Sequence, residues 1–154
     1  MSSRDIRRKF GQNYLKDQAV LFEMGEVISA NSSDNFIEIG PGLGALTNQI
    51  NKKGVNIIGI EIDSKNIETL KSKYKGPANF RFINKDILKY DFGGLTISHR
   101  IVGNLPYNIS TQIILNLVES ANKVIDMHFL VQREVAEKIS GAVGTKDWGK
   151  LAIK

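Results

Sequence analysis

Phe36-Ile37-Glu38-Ile39-Gly40-Pro41-Gly42-Leu43-Gly44-Ala45-Leu46 decides how this chain is read. An apolar run gives way to glycines and then to apolar residues at helical spacing. It reads as a buried strand, a glycine-rich turn and a helix start. Glycine permits positive φ and close backbone approach, and a helix N-terminus presents free N–H groups. The stretch is therefore a nucleotide-type binding turn. Leu43, Leu46 and Ile50 give the helix an inner face, and Gly54 is expected to end it.

Working outward, Val55 to Asp63 is a second strand that ends in acids. Glu61 lies 21 residues after Gly40, about the spacing at which an acid meets a ribose hydroxyl; the plain alternative is a surface carboxylate. Ser64 can cap a helix with Ile67, Leu70 and Tyr74 inward, broken at Gly76-Pro77. Asn79 to Asp86 alternates like a third strand. Asp86 can accept from an adenine amino group with Ile87 on the ring, or simply cap the next turn.

Arg100-Ile101-Val102-Gly103 is a fourth strand leading into Asn104-Leu105-Pro106-Tyr107. This loop offers a side-chain carbonyl, the backbone carbonyls of Leu105 and Pro106, and a flat aromatic face. Two acceptors gripping an exocyclic amine would tilt its lone pair out of the ring plane, and the aromatic face would hold the base. The alternative is a polar turn. A helix from Ser110 carries Ile113, Ile114, Leu117 and Val118; Met127 to Gln132 is a fifth strand; Glu134 to Ser140 is a short helix stopped by Gly141. Upstream, Asp17 can cap a helix through about Ala30 with Val20, Leu21, Met24, Val27 and Ile28 on one face. Strand and helix thus alternate five times, which implies an α/β fold with a mostly parallel sheet and helices on both faces. In such a sheet the loops after strands one to four share one edge.

Composition narrows the choices. The 154 residues are 42% hydrophobic and 24% charged, ordinary for a globular domain, with no cysteine and two histidines. Disulfides and thiolate metal sites are excluded, and His99 and His128 lack ligand-like spacing, so neither zinc nor a Ser-His-Asp centre is expected. His128 reads as a packed strand residue. No apolar run approaches the roughly 20 residues of a membrane span. The net charge is +5, and residues 1–16 hold Arg4, Arg7, Arg8, Lys9 and Lys16 against Asp5 alone. That basic arm suits a phosphate backbone, or is a solvated terminus. The chain is expected to divide into this arm (1–16, with its cofactor-side loop) and one domain (17–154).

Four stretches in order carry a resemblance: Lys9 to Leu15, Glu38 to Thr47, Gly103 to Ser110 and Gln132 to Ala136. Together they resemble the bacterial small-subunit ribosomal RNA adenine N6-dimethyltransferases, from about residue 7 onward. The resemblance implies a Rossmann-like, S-adenosylmethionine-dependent, cytoplasmic enzyme. Its members dimethylate two adjacent adenines in a hairpin near the 3′ end of 16S rRNA, act on a nearly assembled small subunit, and serve as a late assembly check. It implies that Gln12, Asn13, Leu15, Gly40, Gly42, Glu61, Ile62, Asp86, Ile87 and Asn104 are cofactor positions. Glu61 would take the ribose hydroxyls and Asp86 the adenine amine. Asn104, Leu105 and Pro106 would orient the target amine, with Tyr107 stacked on the base. Family catalytic domains have seven strands and a helical domain after them. A fragment truncated after about five strands is therefore expected, with an exposed fifth-strand edge prone to self-association.

Three rivals remain. A nicotinamide dehydrogenase fits the glycine turn and Glu61 but has no use for the Asn104–Tyr107 loop. A non-catalytic RNA-binding assembly factor fits the basic arm. A mitochondrial or resistance-type relative would differ in substrate rather than chemistry.

Overall fold

The structure is a computed structural model that describes residues 2, 17–76, 79–106, 108–131, 133–137 and 152–153. Strands β1 (Asn35–Ile39), β2 (Asn56–Glu61), β3 (Phe80–Asn84), β4 (His99–Asn104), β5 (Val124–Leu130) and β6 (Ala152–Ile153) form one sheet in the order β3-β2-β1-β4-β5-β6. Every neighbouring pair is parallel. Helices α1 (17–28), α2 (Ala45–Ile50), α3 (Ser64–Lys73), α4 (Ser110–Glu119) and a helical turn at 133–137 flank it. The connection direction reverses between β1 and β4, the switch point at which open α/β sheets bind ligands.

The two faces follow from alternation along β1. Phe36 packs with Leu21, Met24 and Ile28 of α1 and with Leu46 and Ile50 of α2. Ile37 and Ile39 point the other way, onto Ile113, Ile114 and Leu117 of α4. Both faces are covered, so β1 is buried at every position after Asn35, apolar save for Glu38. Each such aliphatic side chain taken fully out of water contributes about 1.5–3 kcal/mol.

Several boundaries differ from expectation, each for a local reason. The helix α2 ends at Ile50, and Gly54 is instead a turn at φ +88°, where a Cβ would lie 2.7 Å from the Ser32 carbonyl oxygen. In α1 only Leu21, Met24 and Ile28 are buried; Val20 and Val27 are on its exposed flank. Asp63, not Ser64, caps α3 by accepting from Lys65 N–H. The link from β3 to β4 contains two 3-10 turns, Ile87–Lys89 and Phe92–Gly94, capped by Asp86 and Asp91.

Strand β5 begins at Val124, three residues earlier than the apolar pattern suggested. A bulge opposite Arg100 explains this: His99 pairs with Val124 but Ile101 with Met127. The extra residue breaks the alternation. The expected fifth-strand edge is also corrected, because Ala152 and Ile153 pair with His128 and Phe129 as a sixth strand.

Candidate functional site

Ile39, Gly40, Ile60, Glu61, Ile62, Lys85, Asp86, Ile87, Asn104, Pro106 and Ile109 line one crevice of about 190 Å³. They come from the C-terminal ends of β1, β2, β3 and β4, so the four loops expected to converge do converge.

The glycine turn forms its floor. Gly40 and Gly42 adopt φ of +63° and +59°, and a Cβ on either would meet no atom within 4 Å. The backbone conformation requires glycine, and the space beside it is open to a ligand. Gly44, at φ +94°, is closed differently: its Cβ would lie 2.9 Å from the Tyr74 hydroxyl.

Glu61 is 6% exposed. Its Oε1 accepts from Gly42 N–H at 2.8 Å and its Oε2 from Asp63 N–H at 3.1 Å. Each carboxylate oxygen has a further acceptor site, so the pair retains capacity for two vicinal hydroxyls. Ile62 follows at 69% exposure, a large apolar side chain at the crevice mouth. Asn84 Nδ2 donates to the carbonyls of Glu61 and Ile62 at 3.0 Å each, which pins this loop.

Asp86 lines the crevice and also caps the following turn, accepting from Leu88 N–H at 3.0 Å. The cap uses one carboxylate oxygen and leaves the other unused by it. Ile87 is buried in the wall. Asn104 is exposed at the end of β4, while the Leu105 side chain is buried and its N–H is held by the Leu130 carbonyl at 2.9 Å. Pro106 requires a correction. Its carbonyl accepts from Ser110 N–H at 3.1 Å and Ile109 N–H at 3.4 Å, opening α4. Of the acceptors the sequence offered in this loop, Asn104 Oδ1 and the Leu105 carbonyl are left. Gln12, Asn13, Leu15, Tyr107 and the basic arm lie outside the described residues.

Lys85 and Ile109 also line the crevice, and neither stood out by spacing. Glu38, beneath the glycine turn, is 1% exposed and accepts from Thr47 Oγ1 at 2.5 Å. Burial pushes its carboxyl up to about 7; the Thr47 hydrogen bond opposes this and the Glu61 charge adds to it. The available signal was a carboxylate inside an apolar strand.

Sheet order, glycine turn and crevice together define a Rossmann-like cofactor-binding domain, the arrangement of the methyltransferases that use S-adenosylmethionine. Solved structures agree on the fold. The 23S rRNA methyltransferase ErmE superposes with a TM-score of 0.70 at 24% identity, over 82% of this chain and 50% of that one. A dimethyladenosine transferase from Plasmodium falciparum gives 0.69 at 28% identity, over 79% of this chain and 44% of that one. The family model "Ribosomal RNA adenine dimethylase" matches residues 3–154, and the chain belongs to that family. "Ribosomal RNA small subunit methyltransferase A" of Pseudomonas fluorescens (strain Pf0-1) is 43% identical over 150 residues, 96% of this chain and 55% of the relative. Its counterpart in Acinetobacter baylyi is 39% identical over the same length. The chain thus spans a little over half of the curated relatives it matches. Family membership removes the dehydrogenase reading.

Proposed function

We propose that this chain is the cofactor-holding part of an S-adenosylmethionine-dependent enzyme that dimethylates N6 of two adjacent adenines in a 3′-terminal hairpin of 16S rRNA. Its substrate would be a near-mature small subunit in the cytoplasm, where the protein would also act as an assembly check. One observation carries the reading: Glu61, Asp86 and Asn104, from three different strand ends, line a single crevice.

The cofactor supplies an electrophilic methyl group on a sulfonium. The chain supplies position. Glu61 takes the ribose hydroxyls, Asp86 the adenine amine, and Ile62 and Ile87 flank the ring. Asn104 Oδ1 and the Leu105 carbonyl take the two N–H bonds of the target amine and turn its lone pair toward the methyl carbon. Tyr107 stacks on the target base. The reaction needs no general base, because methylation makes the amine acidic enough to lose its proton to water. Holding the two reactants in line supplies much of the rate.

Calorimetric titration with S-adenosylmethionine, with NADH as control and circular dichroism to establish folding, tests the cofactor assignment. Saturable binding of S-adenosylmethionine alone is expected. A folded chain that binds neither ligand, even when extended to the relatives' full length, would refute it. In that extended chain Asn104→Ala is expected to abolish methyl transfer to unmethylated small subunits; survival of transfer would refute the amine-gripping role.

A further inference from the structure

Residues 71–81 contain Lys71, Lys73, Lys75 and Arg81 and no carboxylate. The +5 net charge of the chain conceals this second basic cluster, because acidic residues elsewhere balance it. In the fold the cluster becomes one concave surface. Lys71 and Lys75, at the end of α3 and just after it, and Arg81, on the edge strand β3, border a hollow of about 450 Å³ with Tyr74, Phe80 and Phe82. The three cations are exposed. Among the described residues their side chains make no hydrogen bond or ion pair. Lys73 differs: it donates to the Leu43 carbonyl at 3.2 Å and lies over the Tyr74 ring.

The aromatic floor is rigid. Tyr74 stacks on Phe80 at 4.6 Å between centroids, and Phe80 on Phe82 at 5.9 Å. The Tyr74 hydroxyl is bonded to Asn48, which ties the floor to α2. Like charges gathered around one concave floor repel one another, and among the described residues no carboxylate lines the hollow with them. A polyanion with regularly spaced charges relieves that repulsion.

We propose that Lys71, Lys75 and Arg81 form an accessory site for the phosphodiester backbone of the RNA substrate, at the end of β3 remote from the crevice. The inference rests on the RNA-methylating reading above. The ligand is a backbone rather than a base: the ring faces already stack on one another, and the site reads charge rather than sequence.

The test is filter binding of full-length protein to a protein-free small-subunit rRNA transcript, with KCl varied from about 50 to about 200 mM, the range over which phosphate contacts separate. The triple variant Lys71→Gln/Lys75→Gln/Arg81→Gln is compared with a charge-matched control, Lys52→Gln/Lys123→Gln/Arg133→Gln. The patch variant is expected to bind about ten- to a hundredfold more weakly, and its log K against log salt slope to become shallower by about two. S-adenosylmethionine binding should be unchanged, which checks the fold separately. Equal slopes and affinities in wild type and patch variant overturn the proposal, as does an equal loss in the control. Poly-glutamate competing as well as RNA at equal charge would assign the surface to an acidic protein and also overturn it. If the wild type binds RNA through the patch yet never binds S-adenosylmethionine, the enzymatic reading fails and the surface assignment stands.

Discussion

The Asn84 side chain holds the backbone of Glu61: its Nδ2 donates to the Glu61 carbonyl, and also to that of Ile62, each at 3.0 Å. A residue outside the crevice thus sets the direction of the carboxylate inside it. Two hydrogen bonds at about 1 kcal/mol net each hold this loop. Asn84→Ala is expected to weaken S-adenosylmethionine binding about tenfold or somewhat more with a small change in melting temperature, since Asn84 is exposed. Calorimetry beside a thermal melt checks the split.

Glu61→Gln keeps the shape and removes the charge. Its partners, Gly42 N–H and Asp63 N–H, can still bond the amide oxygen, but not both oxygens at once. Hydrogen bonds to a charged acceptor are worth about 1.5–3 kcal/mol, so cofactor affinity is expected to fall about ten- to a hundredfold. Unchanged affinity would remove Glu61 from the ribose site.

Glu38 gives the protein a pH dependence of defined sign. Its carboxyl is raised from 4.5 to about 7, first by burial and further by the Glu61 charge. The folded state therefore holds a proton that the unfolded state releases near 4.5. The stability tied to that proton is complete below about 4.5 and lost as pH rises through about 7, a swing of about 3 kcal/mol. Glu38→Gln is expected to leave urea stability nearly unchanged at pH 4.5 and to raise it at pH 8.5. An identical effect at both values would contradict the buried-acid account.

Arg100 joins four elements. Its guanidinium bonds Asp34 at 2.8 Å, Asp126 at 3.0 Å and the Ile28 carbonyl at 2.6 Å, and lies over the Phe36 ring. Arg100→Met leaves two carboxylates without their cation and is expected to cost about 3 kcal/mol, read from urea unfolding. Burial raises the Asp126 carboxyl, but His128 Nε2 at 3.4 Å and the Arg100 bonds, with their charges, bring it down to about 2. Its contribution is present above the ordinary value of 3.8 and lost as pH falls through about 2. The variant should accordingly show a flatter acid limb between these values.

The legible parts of this molecule are those where one local rule governs. Gly40 and Gly42 had to be glycine for backbone reasons, and the run before them had to be buried on both faces, so the central strand and its turn could be read directly. Glu61 and Asp86 followed from strand ends. Strand β5 was misplaced because Asp126 interrupts its apolar pattern, and only Arg100 on the neighbouring strand explains a charge there. The Pro106 carbonyl looked available because its fate depends on where α4 begins. Asn84 escaped notice because its partner, the β2 loop, is brought near only by the assembled sheet, and Glu38 because Thr47 meets it only once the glycine turn folds α2 back over β1.

Strand β3 separates opposite charges along its own length. Arg81 lies at its start and Asp86 just beyond its end, about 17 Å apart at the rise of an extended chain. The crevice carries Glu61 and Asp86 against Lys85 alone, whereas the charged residues described around the hollow at the start of β3 are all cations. The two hollows at either end of β3 thus carry opposite charge. A passing polyanion is attracted to the basic hollow and repelled by the carboxylates of the crevice before any contact forms. On the RNA-methylating reading proposed above, phosphates are repelled at this mouth while a cationic methyl donor and an uncharged, extruded nucleobase are not, so the charge layout would itself filter which part of the RNA reaches the donor.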